Sequence, residues 1–429
     1  MSRPLRIAMI SEHASPLATI GGVDAGGQNI YVAHVARGLA RLGHHVDVLT
    51  RRDSPHLPPS VDLRPGVRVI HIDAGPARFV PKEHLLDHMP AFARAAEQLL
   101  RHSVRHDIVH ANFFMSGWVA QRLKERLGLP FVVTFHALGL VRLQHQREAD
   151  AFPVERLAIE RALVRQADGL IAECPQDLAD LVQLYDADPR RVSVVPCGVD
   201  PQEFAPLDKA AARAGLGLSD SDFIVLQLGR IVPRKGIDNV IRALAHLPPD
   251  VPARLVVVGG DGPLPDEQRT PELARLRAVA QQCGVAGRVM FTGHRDRAEL
   301  RRHYAAADAF VTTPWYEPFG ITPLEAMACG TPVVGSAVGG IQHSVADGVT
   351  GFLVPPRDPQ ALAARLLELH RSPDLARAMG RAGVARTRSM FTWEQVAAAL
   401  EAVYDRLART GSTTSARPLH IGAVSAGVS

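Results

Sequence analysis

Two carboxylates, Glu317 and Glu325, stand eight residues apart across a predicted strand-to-helix turn. Thr322 is placed to cap the helix, Pro323 suits its first turn, and Cys329-Gly330 ends it. Backbone N–H groups at such a helix start point outward and form a site for an anion such as a diphosphate. The N–H groups expected there belong to Phe319, Gly320, Ile321 and Thr322.

The two carboxylates differ in how well a purely structural role explains them. A carboxylate beside Pro318 and Phe319 needs a partner if it is buried, so we expect Glu317 to contact a bound ligand. Glu325 has a second explanation, because Thr322 and Glu325 also match a capping box, in which the Glu side chain bonds back to the helix start. The sequence leaves open whether Glu325 contacts a ligand or only caps the helix.

Two cations, Arg230 and Lys235, follow the predicted strand Phe223–Leu228 in a segment that begins with Gly229. In an open parallel sheet, ligands bind outside the carboxyl ends of the strands. Both side chains are therefore placed to neutralise a diphosphate. For Arg234, which lies between them, a solvated surface position is an equally good explanation.

A glycine-rich loop, residues 11–28, separates the first predicted strand from the first predicted helix. The pairs Gly21-Gly22 and Gly26-Gly27 would let the backbone approach a ligand closely. The loop does not match the G-x-G-x-x-G dinucleotide fingerprint, and it is too long for that tight turn. A flexible surface loop is the alternative.

His136 follows the predicted buried strand Phe131–Thr134 and would project into the same cleft as the cations. A lone histidine is more often structural, but its position at a strand end favours a functional role. Lys82 and Arg156 are weaker candidates. Either could hold a phosphorylated acceptor, and simple solvation at the surface is the alternative for each.

Two Asp-x-Asp triplets, Asp186–Asp188 and Asp220–Asp222, could suggest a metal site, but both lie at predicted turns, where Asp commonly caps or forms the turn. No His/Cys/Glu cluster supports another metal site. The four cysteines form no C-x-x-C pair, which favours reduced thiols in a cytoplasmic protein. We therefore predict no metal and no other cofactor.

Short β-branched runs alternate with helical patterns along the sequence, which predicts an α/β fold with parallel sheets and helices on both faces. One predicted helix, Ile30–Leu42, carries apolar residues at helical spacing and is ended by Gly43. The predicted strands are Arg6–Ile10, Val46–Thr50, Val67–Ile72, Ile108–Ala111, Phe131–Thr134, Gly169–Ala172, Val192–Val195, Phe223–Leu228, Arg254–Val258, Arg288–Phe291, Ala309–Thr312, Pro332–Gly335 and Phe352–Val354.

At 429 residues the chain is too long for one ordinary domain, so two are expected. Prolines and a polar segment place the boundary near Pro196–Pro206. The first domain is therefore predicted to cover residues 1–200 and the second residues 201–395. Residues 410–429 are rich in Ser, Thr, Gly and Ala and are predicted to be disordered.

The formal net charge is only +4, and arginines are scattered through the predicted helices, which argues against a nucleic-acid partner. The apolar run Ile7–Ile10 is too short for a signal peptide, and no run approaches the roughly eighteen residues needed to span a bilayer. Arg94, Arg101 and Arg105 share one helical face, so contact with a membrane surface stays open. The sequence does not indicate an oligomeric state.

Taken together, these residues resemble those of the family 4 retaining glycosyltransferases, over residues 5–408. The most specific match is the Glu-x7-Glu element at Glu317 and Glu325, supported by Gly229-Arg230 and Lys235-Gly236. The resemblance implies the GT-B fold, in which two Rossmann-like domains with parallel sheets face each other across a cleft. It also implies that a C-terminal helix, residues 396–409, returns to the first domain.

The resemblance assigns roles to the residues of the second domain. It places Glu317 by the donor sugar and Glu325 at the ribose hydroxyls, and it has Arg230 and Lys235 bind the diphosphate. UDP is the commonest nucleotide of the family, so the expected donor is a UDP-sugar. The expected partners are thus a nucleotide-diphosphate sugar and a small-molecule or glycan acceptor.

The resemblance also assigns roles in the first domain. Gly27 and Asn29 correspond to the loop that touches the phosphates and the acceptor, and His136 corresponds to a histidine of the cleft. The implied mechanism is front-face substitution with retention of configuration and without a metal ion. The leaving phosphate accepts the proton of the acceptor while Arg230, Lys235 and the helix dipole stabilise its charge, and His136 assists.

Within the family, the segments Gly26–Val32 and Gly43–Val46 resemble the branch that holds sucrose-phosphate synthases and the inositol-phosphate N-acetylglucosaminyltransferase of mycothiol synthesis. Lys82 and Arg156 fall where the latter enzyme holds the phosphate of its acceptor, so a sugar or cyclitol phosphate is one acceptor to consider. Phe113 and Ala137 stand where that enzyme has Tyr and Thr, so two hydroxyl groups are missing here.

Several alternatives stay open. A lipid or a natural product could be the acceptor of the same transfer. A nucleotide-sugar epimerase and a non-catalytic nucleotide-sugar binder could share the fold. An NAD-dependent oxidoreductase could also have Rossmann-like domains, although G-x-G-x-x-G is absent after the first strand.

Overall fold

The strands of the first sheet come from the N-terminal half of the chain. The computed structural model describes residues 3–18, 26–147 and 150–413, with side chains of the last helix up to residue 408. The strands of this sheet are β1 (Arg6–Ile10), β2 (His45–Arg51), β3 (Ser60–Arg64), β4 (Val67–Ile72), β5 (Ile108–Asn112), β6 (Phe131–Thr134), β7 (Gly169–Ala172) and β8 (Val192–Val194). Their order is β3-β4-β2-β1-β5-β6-β7-β8. All neighbouring pairs are parallel except β3 with β4.

Helices cover both faces of the first sheet. They are α1 (Gly27–Arg41), α2 (Met89–His102), α3 (Phe114–Leu127), α4 (Gly139–Gln146), α5 (Glu155–Gln166) and α6 (Pro175–Tyr185). On one face, α3 packs against α2 and α5 over a core that includes the buried Phe92, Phe114 and Leu163. On the other face lies α1, whose Tyr31 and Val35 are fully buried. Burial on both faces explains why the central strands are continuously apolar.

The second sheet has the strand order of a Rossmann fold. Its strands are β9 (Phe223–Leu228), β10 (Ala253–Val258), β11 (Val289–Gly293), β12 (Ala309–Thr312), β13 (Val333–Ser336) and β14 (Gly351–Val354), all parallel in the order β11-β10-β9-β12-β13-β14. The order reverses between β9 and β12, where ligands bind in such sheets. The remaining helices are α7 (Lys209–Leu216), α8 (Ile237–Ala245), α9 (Pro271–Gln282), α10 (Arg297–Ala306), α11 (Ile321–Ala328), α12 (Ile341–Ser344), α13 (Pro359–Arg371), α14 (Pro373–Met390) and α15 (Trp393–Thr413).

The last helix, α15, packs against α1 of the first domain. The Trp393 ring stacks on His34 at 5.0 Å, and the Tyr404 hydroxyl lies 2.6 Å from Nδ1 of the buried His110. The chain therefore crosses between the domains twice, once near Val199 and once near Phe391. The two crossing segments are in contact, because the backbone N–H of Val199 donates to the Phe391 carbonyl at 2.8 Å.

The predicted α/β fold with two Rossmann-like domains is confirmed, and each predicted strand is present within one or two residues of its predicted ends. One strand was missed: β3 is a short antiparallel edge strand with Asp62 and Arg64 in it, so it lacks the apolar pattern of the buried strands. The predicted disordered tail starts too early, since α15 continues through Thr410 to Thr413. Residues 414–429 lie outside the described residues.

No helix in the described part of the chain is both long and apolar enough to cross a membrane.

Candidate active site

A cavity of about 530 Å³ lies where the carboxyl ends of strands from both sheets face each other. Nearly all of the residues singled out from the sequence line it. They are Gly27, Asn29, Lys82, His136, Arg230, Lys235, Glu317, Phe319, Gly320, Ile321, Thr322 and Glu325. Arg156 is not among the lining residues. The loop glycines Gly21 and Gly22 lie outside the described residues.

Glu317 stands within a group of cations in the second domain. The Lys235 ammonium donates a hydrogen bond to its carboxylate, and the Arg234 guanidinium lies 4.0 Å away. Burial alone would raise the pKa of Glu317, but Lys235, Arg234 and Arg230 outweigh it, so the pKa lies below its ordinary value. Glu317 is therefore an ionised carboxylate inside the cavity.

The chain turns tightly to place Lys235 there. After β9, residues Pro233–Lys235 form a single helical turn that ends at Gly236, whose φ is +64°. A Cβ at this position would lie 2.0 Å from the carbonyl oxygen of Thr313, the residue after β12. Glycine is thus required for the turn to pack against β12 and to hold Lys235 beside Glu317.

Arg234 belongs to the site although the sequence did not separate it from a surface residue. Its side chain is 17% exposed, and its guanidinium lies 5.4 Å from the centre of the Tyr316 ring. Its Nη1 is a buried nitrogen without a hydrogen-bond partner among the described residues. Two cations, Arg234 and Lys235, therefore share the single carboxylate of Glu317.

The helix start at α11 differs from the capping prediction. Gly320, with φ +88°, is the N-cap, so Thr322 lies inside the helix and does not cap it. Glu325 then lies two residues beyond the position from which a side chain bonds back to the helix start, and the capping-box explanation is wrong. Without a side-chain cap, the first N–H groups face the cavity lined by Gly320, Ile321 and Thr322. The predicted end of the helix at Cys329-Gly330 is confirmed.

Glu325 instead holds two side chains of α10. Its Oε1 lies 2.7 Å from Nη1 of Arg297, and its Oε2 accepts a hydrogen bond of 2.8 Å from the Tyr304 hydroxyl. Arg297 also pairs with Glu203 at 2.5 Å. The Glu325 carboxylate thus borders the cavity with its position fixed on both sides.

On the first domain, His136 follows β6 and has a strained backbone, with φ +56°. Its Nδ1 lies 3.0 Å from Oε1 of Glu173, and its Nε2 lies 3.1 Å from Oδ1 of Asn112. The Tyr31 ring meets it edge-on at 4.8 Å. The ring is therefore held on three sides, and a ligand in the cavity would meet it in one fixed orientation.

Glu173 was missed from the sequence. It is only 3% exposed and borders the cavity at the end of β7. The Cys197 thiol lies 3.2 Å from its Oε1, and burial together with Glu173 raises the pKa of Asp177 to about 8. The rule that singled out Arg230 and His136, a polar residue within two positions of the end of a predicted strand, could have found Glu173.

The last glycines of the glycine-rich loop, Gly26-Gly27, lie at the start of α1 and at the edge of the cleft. A Cβ on Gly27 would lie 3.7 Å from the Ile321 side chain at the start of α11. Asn29 fixes the loop, because its Oδ1 accepts from the Gly26 N–H at 2.9 Å and its Nδ2 donates to the Ser15 carbonyl at 3.0 Å. This end of the loop therefore borders the same space as the N-terminus of α11.

Arg156 is buried behind the cavity wall and does not face the space within it. Its Nε pairs with Glu160 at 2.7 Å, and its Nη2 donates to the Ala137 carbonyl. The guanidinium lies 4.5 Å from the centre of the Phe152 ring and 5.0 Å from that of Phe113, and both rings line the cavity. Sequence alone could not show this, because the wall is assembled from distant segments.

The Asp-x-Asp triplets are caps and turn residues, as predicted. Asp186 ends α6 with φ +57°, and Asp188 accepts a hydrogen bond of 3.0 Å from the Arg190 N–H. Asp222 pairs with Arg254 at 2.9 Å. Within the described residues, no group of three His, Cys, Asp or Glu side chains is close enough to hold a metal ion.

Two facing Rossmann-like domains with a cation-rich cleft between them define a GT-B glycosyltransferase. Residues 25–203 match the model of Glycosyltransferase Family 4, and residues 208–386 match that of Glycosyl transferases group 1. The chain belongs to glycosyltransferase family 4.

Among curated proteins, the chain is similar to a D-inositol 3-phosphate glycosyltransferase of Segniliparus rotundus, with 40% identity over 96% of this chain and 91% of the relative. A second such enzyme, from Catenulispora acidiphila, is 39% identical over 94% of this chain and 96% of the relative. Among solved structures, a sucrose-phosphate synthase of Thermosynechococcus elongatus has a TM-score of 0.87 and 37% identity, covering 95% of this chain and 100% of that one. These matches give no support to the oxidoreductase interpretation.

Proposed function

We propose that the protein transfers a hexosyl group from a UDP-sugar to a hydroxyl group of a small polyol, of the sugar or cyclitol type, with retention of configuration. The observation that carries the proposal is the convergence of Arg230, Arg234, Lys235 and the N-terminus of α11 on one cavity. This end of the cavity, which we call the donor end, suits a diphosphate.

The donor end supplies charge where the leaving group needs it. When the bond from the anomeric carbon to the diphosphate oxygen breaks, negative charge grows on the phosphate. Arg230, Lys235 and the α11 N–H groups are already in place there, and fixed groups of this kind stabilise a transition state without reorganising. Glu325 contacts the ribose hydroxyls, and the ionised Glu317 lies by the donor sugar and stabilises the positive charge that develops on it.

Retention follows from attack on the same face that the diphosphate leaves. The acceptor oxygen bonds to the anomeric carbon, and its proton passes to an oxygen of the leaving phosphate, so no protein base is consumed. Asn29 and Lys82 contact the acceptor, and His136, held by Glu173, stabilises the reacting sugar. Closure of the domains excludes water and limits hydrolysis of the donor.

Arg230→Ala tests the donor site. Loss of one such cation should lower kcat for transfer by about 10²–10³ and weaken UDP binding, with unchanged circular dichroism. Arg277→Ala is the matched control, because Arg277 is exposed and pairs with the exposed Glu267. Normal turnover by Arg230→Ala would contradict the diphosphate role.

We also propose that transfer needs no metal ion, since Arg230 and Lys235 take the place of one at the diphosphate. Initial rates with EDTA should equal those with added magnesium within about twofold. Activity that disappears with EDTA and returns with magnesium would refute this part of the proposal.

A further inference from the structure

We propose that the acceptor of this enzyme is an uncharged polyhydroxyl compound and that the site disfavours a phosphomonoester. The proposal rests on the proposed function and concerns the part of the cavity formed by the first domain, which we call the acceptor end. Its wall and its charges both differ from those of the donor end.

The basic side chains at or behind the acceptor end are matched one to one with acidic side chains. Five such pairs lie in the described part of the chain. They are His13 with Glu12 at 2.7 Å, Lys82 with Glu83 at 3.7 Å, His136 with Glu173 at 3.0 Å, Arg142 with Asp150 at 2.9 Å, and Arg156 with Glu160 at 2.7 Å. A pair whose basic member is charged has a net charge of zero, and a pair whose histidine is neutral has the negative charge of its carboxylate. The five pairs together therefore carry no net positive charge.

Arg142 shows the matching most clearly, since it lines the cavity and could otherwise reach an anion. Two of its nitrogens face the Asp150 carboxylate, with Nη2 at 2.9 Å and Nε at 3.3 Å. Asp150 is 4% exposed, so solvent hardly screens the pair. A phosphate would have to compete with a buried carboxylate for this guanidinium.

At the donor end, basic groups outnumber the acidic group that they contact. There, Arg234 and Lys235 share one carboxylate, that of Glu317, and the N-terminus of α11 adds its partial positive charge. A diphosphate is therefore favoured at one end of the cavity and a phosphate ester is not favoured at the other. Moving a dianion from water to a site without net positive charge is costly.

The wall of the acceptor end offers apolar surface in place of phosphate ligands. Phe113, Ala137 and Phe152 line it, and none of their side chains carries a hydrogen-bonding group. Polar groups stand beside this wall, namely the Asn29 amide and the Glu173 carboxylate. A carboxylate accepts hydrogen bonds from hydroxyl groups but repels a phosphate. Apolar surface with a few polar groups suits a ring that carries hydroxyls.

Matched acceptor pairs test the inference. Each uncharged compound is compared with its phosphate ester, namely inositol with D-inositol 3-phosphate, fructose with fructose 6-phosphate, and glucose with glucose 6-phosphate. UDP-glucose, UDP-galactose and UDP-N-acetylglucosamine serve as donors. For each pair of which at least one member accepts the sugar, kcat/KM should be at least about tenfold higher for the uncharged compound than for its phosphate ester. Equal or faster transfer to the phosphate ester would overturn the inference.

A charge variant tests the cause. Asp150→Asn leaves Arg142 without its opposing charge, so kcat/KM for the phosphate ester should rise about tenfold. Glu125→Gln is the matched control, because it removes the exposed partner of Arg122 outside the cavity. If Asp150→Asn does not fold, Arg142→Gln replaces it. A selective loss of transfer to the phosphate ester in that variant would show that Arg142 binds phosphate and would overturn the inference.

The experiment separates this inference from the proposed function. Failure to bind UDP would contradict the proposed donor site. Binding of UDP without transfer to either member of any pair would overturn the polyol acceptor and leave the donor site standing.

Discussion

At the scale of single residues, the ion pair between Glu317 and Lys235 sets the character of the site. Burial disfavours the charged form of both groups and so acts on both pKa values. Desolvation lowers the pKa of Lys235 while Glu317 raises it, and the net result is a lowered pKa. For Glu317 the cations prevail over desolvation. The carboxylate is thus the more firmly ionised partner, which suits the role proposed for it beside developing positive charge on the donor sugar.

Glu317→Gln should separate donor binding from chemistry. The variant removes a negative charge beside the diphosphate site, so the affinity for UDP should be unchanged or higher. The kcat for transfer should fall by about 10²–10³, because in the proposed mechanism the same charge stabilises the transition state. Calorimetric titration with UDP and initial rates would measure the two effects. A large loss of UDP affinity at normal kcat would contradict the assigned role.

The same variant reports on pH. The pKa of Glu317 is lower in the folded protein, so its pairing stabilises the fold above the ordinary pKa and is lost as pH falls through the lower, folded pKa. The difference in Tm between the wild type and Glu317→Gln should therefore shrink toward acid pH.

Arg156 shows where prediction from sequence stops at this scale. Arg230 and Lys235 could be predicted to line the cavity, because they lie in the segment that follows a strongly apolar strand. Arg156 could not be placed, since its burial depends on three aromatic rings from other segments. Its charge suggested solvent or ligand, whereas packing directed it toward Glu160.

At the scale of elements, short turns after parallel strands position the side chains that line the cavity. Gly236→Ala should lower both thermal stability and UDP affinity, because the Cβ would meet the Thr313 carbonyl at 2.0 Å and displace Lys235. Gly128→Ala is the matched control. Its φ of +69° resembles the +64° of Gly236, but no atom lies within 4 Å of the added Cβ.

The control should lose about 1–2 kcal/mol of stability from the left-handed backbone alone and keep its affinity for UDP. Denaturant melts and UDP titrations of both variants would separate strain from displacement. Equal effects in the two variants would show that Thr313 does not constrain the turn.

Strands and helix ends differ in how well a sequence predicts them. The buried strands carry continuous apolar runs, which is why their positions were predictable to within one or two residues. The start of α11 was not, because Gly320 acts as the N-cap without a side chain, and Thr322 is the residue type that usually takes this position. Because the helix begins two residues earlier than predicted, Glu325 does not cap it and instead contacts Arg297 and Tyr304.

At the scale of the whole molecule, the fold class was predictable because βα alternation restricts the topology. The separation of charge within the cavity was not. It depends on which acids reach which bases across the fold, as with His136 and Glu173 from different strand ends. A list of charged residues gives their number, and only the packed chain shows which charges are compensated.

The adjacent crossings at Val199 and Phe391 have a mechanical consequence. Two neighbouring segments that are bonded to each other resist sliding and wide separation of the domains, but they permit rotation about a line through both. Each opening and closing would then follow one path. In the proposed reaction, the donor sugar bound by one domain would meet the acceptor hydroxyl bound by the other in the same alignment at every turnover.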